Sequence, residues 1–183
     1  MSGGKDGTGM GTDKDSKKRS RHLHVPEVLP FVAKVRVLYA DTDAMGVLYH
    51  GTYIRYLEHA RIEYLRERGT VYADVERDGY AVPVTELDVR YTAPARFDDV
   101  LTLRAMLIEQ TRARLRFAYR VSVEPGDRVG LDRRLNVLVA TTGHCCLNPR
   151  TGRPVAFPRH LYDLLVAARE RDERALAAAS TEN

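Results

Sequence analysis

The stretch YADTDAMGVLYH, residues 39–50, joins a segment with the period of a β-strand to a segment with the period of an α-helix. Before it, apolar residues recur at every second position over 33–39, as they do in a strand with one buried face. After it, an apolar stripe over 53–68 predicts an amphipathic helix of about four turns. Acids, a glycine and a histidine at such a junction are typical of a catalytic or binding site.

Four further segments have the period of a strand, over 85–91, 100–108, 114–123 and 135–147. Turn residues rich in Pro, Gly, Asp and Asn separate them, which favours strands that follow one another and pair antiparallel. A last segment, 159–179, has an apolar stripe and predicts a helix that frays into a polar end. One long helix after the first strand can cover one face of such a sheet. We therefore predict an α+β fold, a five-stranded antiparallel sheet wrapped around a central helix.

The composition predicts one domain with tails. A chain of 183 residues with 44% hydrophobic content can bury one full core. We expect a basic, mobile tail over 1–29, the domain over 30–158, and a helix with a polar tail over 159–183. Residues 1–25 hold six Lys or Arg against three Asp, which leaves 23 basic and 22 acidic residues in the rest. The basic charge therefore belongs to the tail, and we do not expect nucleic-acid binding.

The sequence also bears on the compartment. It has no apolar run of about 18 residues, so we expect no membrane span, and the tail lacks the apolar core of a signal peptide. The two cysteines, Cys145 and Cys146, are neighbours, and a bridge between neighbours is strained. We therefore expect two reduced thiols, a soluble cytoplasmic protein and, because no zinc-like spacing is present, no metal site.

Several motifs in order resemble a known family. They are YADTDAMGVLYH at 39–50 with Tyr53, EHAR at 58–61, YTAPA at 91–95 followed by Asp98 and Asp99, and NPRTGRP at 148–154. Together they resemble the 4-hydroxybenzoyl-CoA thioesterase-like branch of the hotdog superfamily. Within it, the sequence resembles the acyl-CoA thioesterases associated with bacterial Tol-Pal genes. The resemblance covers about 32–158 and implies a hotdog fold, thioester hydrolysis, and a homodimer or homotetramer with the active site between protomers.

The resemblance also implies catalytic roles for three residues. Asp43 matches the family's catalytic carboxylate, His50 the residue at the helix start, and Tyr39 the tyrosine four residues before the acid. Chemistry alone leaves two routes open at Asp43, attack on the thioester carbonyl or removal of a proton from water. Asp41 is interpreted as a turn residue that bonds nearby backbone N–H groups. A Mg²⁺ site between Asp41 and Asp43 is the alternative, which the absence of a Gly-rich phosphate loop disfavours.

Other residues are candidates for substrate contacts. Backbone N–H groups at His50, Gly51 and Thr52 lie at the expected helix start, where they can stabilise an oxyanion. Gly46 and Gly51 permit substrate to approach the backbone closely.

The remaining candidates are side chains. Tyr49 and Tyr53 are expected in the pocket wall. Four arginines, Arg90, Arg112, Arg114 and Arg116, can hold the phosphates of coenzyme A, although alternating arginines are also typical of an exposed sheet face. Arg90 and Arg114 are taken as the candidates.

The sequence thus predicts an acyl-CoA thioesterase that uses no cofactor, coenzyme A being part of the substrate. Two alternatives stay open, a thioesterase acting on acyl carrier protein and a binding module without turnover. Met45 stands where the family often has a small residue, and Gly51-Thr52 replaces its usual Ala-Asn or Ala-Ser. These departures leave the acid in place and make the substrate of relatives an unsafe guide.

Overall fold

A computed structural model of the chain describes residues 23, 25–70 and 72–181. Five strands form a single antiparallel sheet in the order β1-β3-β4-β5-β2. The strands are β1 (Phe31–Arg36), β2 (Val84–Tyr91), β3 (Val100–Gln110), β4 (Arg114–Val123) and β5 (Leu135–Cys145). The predicted α+β class and the five-stranded antiparallel sheet are confirmed, and the strand order is information that the periodicity did not contain.

Helix α1 (Thr52–Glu67) covers one face of this sheet. The stripe predicted from its spacing is buried, with Tyr53, Leu57 and Tyr64 at 3% exposure or less. Their partners are apolar side chains that recur at every second position of β3 and β4, because alternate residues of a strand share a face. This one-sided packing sets the start of α1 against the end of β2, where the Tyr53 and Tyr91 rings contact each other.

Two short elements differ from the prediction. β1 ends at Arg36, and the chain turns at Tyr39–Asp41 as a single 3₁₀ turn, where the sequence indicates strand through residue 39. A short helix, α2 (Tyr72–Arg77), follows α1 and was not predicted. Six residues carry too few periods for a hydrophobic stripe to be recognised. Both differences lie at the ends of correctly predicted elements.

Helix α3 (Arg159–Thr181) lies along β3 at the sheet edge. β1 pairs with β3 only as far as Ala105, so the rest of that edge would otherwise be open. The Gln110 side-chain amide donates to the Tyr162 carbonyl at 3.1 Å. Asp172 fastens α3 to α1 from a buried position, accepting hydrogen bonds from the Tyr64 hydroxyl and the Arg68 guanidinium at 2.6 Å each.

The segment before β1 packs on the other face of the sheet. Leu29 is buried in a small cluster with Met106 and Ala118. The Arg120 guanidinium donates to the Pro26 carbonyl at 2.6 Å and to the Val25 carbonyl at 3.2 Å. Packing therefore begins several residues before the predicted tail boundary at 29. The rest of the predicted tail lies mainly outside the described residues. Within the described ranges, no helix is long and apolar enough to cross a membrane.

Candidate active site

Residues 41–50 form a tight loop, the acidic loop, between the 3₁₀ turn and α1. Its two sides are joined by hydrogen bonds from the Asp43 amide to the Val47 carbonyl and from the Tyr49 amide to the Asp41 carbonyl, both at 2.9 Å. The turn at its tip is closed by the Gly46 amide, which donates to the Asp43 carbonyl at 2.9 Å. Gly46 has φ +71°, a conformation that favours glycine. Backbone geometry, rather than open space for substrate, accounts for this glycine.

Asp43 is half-buried and uses one carboxylate oxygen within the loop. Its Oδ1 accepts from the Met45 amide at 2.8 Å and more weakly from the Val47 amide at 3.4 Å. This is the bond pattern of an aspartate at the start of a turn, and it fixes the direction of the carboxylate. No partner of the other oxygen, Oδ2, exists among the residues that the structure describes. Asp43 is therefore held in one orientation with an oxygen available for chemistry.

Asp41 is buried and ties the acidic loop to α1. Its Oδ2 accepts from the Tyr56 hydroxyl at 2.6 Å and from the Leu38 amide at 3.2 Å, and its Oδ1 pairs with the Arg55 guanidinium. The Tyr56 hydrogen bond is the largest of the causes that hold the pKa of Asp41 below its ordinary value of 3.8. The bond from the Leu38 amide is a bond from a nearby backbone N–H group, as predicted for Asp41. The bonds from Arg55 and Tyr56 also attach the acidic loop to α1, which was not predicted.

The start of α1 offers two free backbone donors. The amides of His50 and Gly51 have no acceptor among the described residues, whereas the Thr52 amide donates to the Tyr49 carbonyl at 2.9 Å. Thr52 therefore does not supply the unpaired N–H that the sequence predicts for it. A side chain at Gly51 would meet the Tyr49 ring, since an added Cβ would lie 2.7 Å from its Cε1. The helix dipole adds positive potential at these donors.

The segment 91–99 holds both the acidic loop and the helix start. The Leu48 amide donates to the Ala95 carbonyl at 2.9 Å, and the Ala95 amide donates to the Tyr53 hydroxyl at 3.2 Å. The Tyr91 hydroxyl donates to the His50 carbonyl at 2.8 Å. Burial is the main cause that raises the pKa of Tyr53, so its hydroxyl stays neutral and accepts this bond. The YTAPA motif thus acts as a support for the loop.

A buried carboxylate in turn fixes this segment. Asp99 accepts the Arg96 amide at 2.6 Å and two bonds from Arg128, whose Nε lies 2.7 Å from Oδ1 and whose Nη2 lies 2.6 Å from Oδ2. These bonds are the main cause that raises the pKa of Arg128. A bidentate arginine–carboxylate pair is among the strongest side-chain contacts.

Two predicted tyrosines lie at the surface. Tyr39 is exposed, and its ring packs edge-to-face on Phe97 at 5.7 Å. Among the described contacts its hydroxyl makes no hydrogen bond to Asp43, so the geometry gives no sign that it orients the carboxylate. Tyr49 is exposed as well, and its ring lies 4.3 Å from the His50 ring. Tyr49 and His50 therefore form one accessible wall beside the helix start.

The two predicted arginines lie in different places. Arg90 is exposed and precedes Tyr91 in β2, so its backbone lies close to the residue that reaches the helix start, while its side chain projects from the opposite face of the sheet. Arg114 is at the opposite end of β4, where it pairs with Cys145. Seven residues of strand separate it from the position level with Tyr91, or roughly 23 Å at about 3.3 Å per residue. The structure therefore does not bring Arg114 to the acidic loop of its own chain.

The acidic loop and α1 lie inside the part of the chain that matches a known family. The family model described as the thioesterase-like superfamily matches residues 37–165. This protein belongs to the thioesterase-like superfamily. The resemblance noted in the sequence is thereby confirmed, and it now rests on most of the domain rather than on separate motifs.

Relatives in this superfamily share most of the chain. The acyl-CoA thioester hydrolase YbgC of Escherichia coli O6:H1 is 33% identical over 127 residues, 69% of this chain and 89% of that protein. The crystal structure of hypothetical protein TT1821 from Thermus thermophilus is 36% identical at a TM-score of 0.65, covering 75% of this chain and 98% of that one. The DHNA-CoA thioesterase from Staphylococcus aureus is 26% identical at a TM-score of 0.66, covering 82% and 93%. The predicted hotdog fold is confirmed.

Three supporting residues of the candidate site were missed by sequence reasoning. Tyr56 follows Tyr53 on the buried face of α1, and a buried tyrosine needs a hydrogen-bond partner, which was a usable signal. Tyr91 was recognised only as part of a motif. Arg128 lies 29 positions from Asp99, and no local pattern predicts that pair. No cluster of three or more His, Cys, Asp or Glu suited to a metal was found in the described ranges.

Proposed function

We propose that this protein is an acyl-CoA thioesterase in which Asp43 carries the reaction. The observation that supports it most is an oriented Asp43 carboxylate in the loop that leads to the start of α1, where Asp43 Oδ2 and the amides of His50 and Gly51 have no partner among the described residues. Membership of the thioesterase-like superfamily and the 33% identity to YbgC point to acyl-CoA as the substrate class. Coenzyme A enters only as part of the substrate in this proposal.

The chemistry divides between the carboxylate and the helix start. In one route, Asp43 attacks the thioester carbon, the CoA thiolate leaves and takes a proton, and water then hydrolyses the mixed anhydride. In the other, Asp43 takes a proton from water, which attacks while the thiolate leaves. In both, the His50 and Gly51 amides stabilise the charge that develops on the carbonyl oxygen. The exposed His50 side chain is proposed to protonate the leaving thiolate.

The remaining candidate residues are proposed to contact substrate. Tyr49 and Tyr53 border the helix start, and Arg90 is an exposed cation of β2, without a partner among the described residues, that suits a CoA phosphate. Arg114 is proposed for this role only in the site of a second subunit, because it is far from its own acidic loop. Gly46 is proposed to act indirectly, by keeping the loop tight.

Steady-state kinetics of Asp43→Asn on a panel of short, long and aromatic acyl-CoAs tests the proposal. We expect kcat to fall by about 10²–10⁴, the usual value of a general base, with little change in Tm. Asp98→Asn is the matched control, because Asp98 is an exposed acid of the neighbouring turn. Wild-type protein that releases no thiol from any acyl-CoA would refute the activity, and an active Asp43→Asn would refute the site.

We also propose a homodimer joined through β2. This strand pairs with β5 on one side, and its other edge has no partner strand among the described residues. It also carries three exposed apolar side chains, Val84, Leu87 and Tyr91. Such an edge is a template for another strand, and two copies of β2 can pair antiparallel about a twofold axis. Because Tyr91 reaches the helix start, this interface would border the active site. A homotetramer formed from two such dimers is the alternative.

Sedimentation velocity tests the interface. Leu87→Lys is expected to shift the protein towards the monomer and to lower activity with it. Val32→Lys, an exposed position on the opposite edge strand β1, is the control and should keep the wild-type mass. A Leu87→Lys protein with unchanged mass would contradict the β2 interface, and a wild-type mass of four chains would indicate the tetramer.

Two further points complete the proposal. The basic segment 1–25 favours acyl carrier protein, an acidic partner, as an alternative donor of the acyl group. Comparing the rates at which CoA and carrier-protein thioesters are hydrolysed, by the protein with and without residues 1–25, decides between them.

A cytoplasmic location is proposed because Cys145 and Cys146 are both free and buried, as in a reducing compartment.

A further inference from the structure

The connection between β4 and β5 carries an arginine whose contacts lead back to the acidic loop. The two bonds from Arg128 to Asp99 form a fork, and Nη2 also donates to the Pro94 carbonyl at 3.2 Å. The connection itself is held in place, because the Val100 amide donates to the Asp127 carbonyl at 3.0 Å. The backbone next to Arg128 is thus held by a hydrogen bond to β3, and its guanidinium group is bonded to the segment 91–99.

A short series of contacts joins Asp99 to the catalytic carboxylate. Asp99 accepts the Arg96 amide at 2.6 Å, and Arg96 forms a bridge with Val47 of the acidic loop. Val47 in turn accepts the Asp43 amide at 2.9 Å and donates to Asp43 Oδ1 at 3.4 Å. The position of the Asp43 carboxylate therefore depends on a backbone segment that Asp99 and Arg128 hold from outside.

The surrounding groove argues against a phosphate site at Arg128. The groove has a volume of about 340 Å³, and its charged lining is balanced. The lining holds three arginines and three aspartates, Arg36, Arg96, Arg128, Asp98, Asp99 and Asp127. Arg36 pairs with Asp98 and Arg128 pairs with Asp99, so two of the three guanidinium groups are already neutralised by the protein. Because its guanidinium group is already paired with Asp99, Arg128 is not available to hold a phosphate.

We propose that Arg128 is a positioning residue for thioester hydrolysis, fixing the acidic loop through Asp99 and Arg96. The inference rests on the proposed role of Asp43. Loss of the fork leaves the buried Asp99 carboxylate without its cation, so the carboxylate must draw in water or move, and segment 94–96 moves with it. A shift of about 1 Å in a reacting group can lower the rate by about 10²-fold. Arg128 does not itself touch Asp43.

The test compares Arg128→Ala with Arg128→Lys and with Arg134→Ala. Arg134 lies in the same connection and makes an exposed ion pair with Glu124, so it is a matched control. We expect Arg128→Ala to lower kcat by about 10–100-fold with a much smaller change in KM. Lysine should recover part of the loss, because an ammonium group can replace the charge but not the fork. Arg134→Ala should keep the wild-type kcat and KM.

Two readouts separate positioning from a general loss of stability. Guanidinium ion added to Arg128→Ala, at concentrations far below denaturing ones, should restore part of kcat and should do nothing for Arg134→Ala. Amide hydrogen exchange should be faster over residues 45–48 in Arg128→Ala only. Equal kcat and equal exchange in the two alanine variants would overturn the inference.

Asp43→Asn measured beside these variants keeps the two proposals apart. If Asp43→Asn is fully active, the role of Asp43 fails, and the exchange rates still decide whether Arg128 fixes the loop. If Asp43→Asn is inactive while Arg128→Ala has the kcat and exchange of the control, the inference about Arg128 fails alone.

Discussion

Acidification is expected to destabilise the fold through one buried histidine, His144. It lies in β5 at 1% exposure, with Nε2 2.8 Å from the Thr142 hydroxyl, which is 3.0 Å from the Tyr119 hydroxyl. Burial, and next the positive charge of Arg61, lower the pKa of His144 from 6.5 to about 4. The imidazole is therefore neutral in the folded protein across the physiological range.

The sign of the effect follows from where the proton binds. The unfolded chain takes up the His144 proton near pH 6.5, while the folded protein resists it until about pH 4. His144 therefore contributes its full share of stability above pH 6.5 and loses it as the pH falls towards 4. Each unit of pKa difference is worth about 1.4 kcal/mol, so about 2 kcal/mol of unfolding free energy is lost between about pH 7 and about pH 4.5.

Urea unfolding of the wild type and His144→Gln at a series of pH values measures this loss. Glutamine offers an amide to Thr142 and does not titrate. Subtracting the unfolding free energies of the two proteins at each pH therefore removes the contributions of the other titrating groups. His59→Gln is the control, because His59 is exposed on α1 and should leave the wild-type pH dependence intact. If the wild type and His144→Gln lose the same stability on acidification, His144 is not a neutral buried group and the reasoning is wrong.

Three further substitutions test other contacts. Asp172→Ala removes the carboxylate that pairs with the buried Arg68 guanidinium, and we expect it to lower the free energy of unfolding, measured with denaturant, by about 3–5 kcal/mol. A loss below about 1 kcal/mol would contradict a buried pair. Gly46→Ala meets no atom within 4 Å but adopts φ +71°, and its expected cost of about 1 kcal/mol is purely conformational; an unchanged midpoint would show that the loop turns differently. Leu29→Ala is expected to cost about 2–3 kcal/mol and the exposed Val28→Ala less than about 0.5, and equal values would mean that this segment does not pack on the sheet.

The local pattern of the sequence predicted the elements well. Alternation predicted β4 as Arg114–Val123, and the apolar stripe of α1 was placed within one residue of the helix Thr52–Glu67. These patterns are readable because a buried face repeats every second residue in a strand and every three to four in a helix. The dense acidic stretch likewise predicted where the candidate site lies.

The roles within that stretch were only partly predictable. The sequence and the family resemblance together assigned different roles to Asp41 and Asp43, a turn residue and the candidate catalytic acid. In the structure the two carboxylates differ in their burial and in their hydrogen-bond partners. Asp41 is buried against Tyr56, while one carboxylate oxygen of Asp43 has no partner in the part of the chain that the structure describes. Thr52 was expected to offer a free amide, but whether an amide is free depends on where the preceding carbonyl points, which no residue pattern encodes.

By itself the sequence determined the strands, the long helix, the family and the position of the acid, because each leaves a trace in neighbouring residues. Tertiary structure alone decided the order β1-β3-β4-β5-β2, the distance of Arg114 from its own acidic loop, and the Arg128–Asp99 pair. These depend on which distant segments pack together, and packing is set by the whole core at once. Arg128 and Asp99 are 29 residues apart, and the periodicity of a sequence reports only on residues within one helix or strand, so it cannot predict their contact.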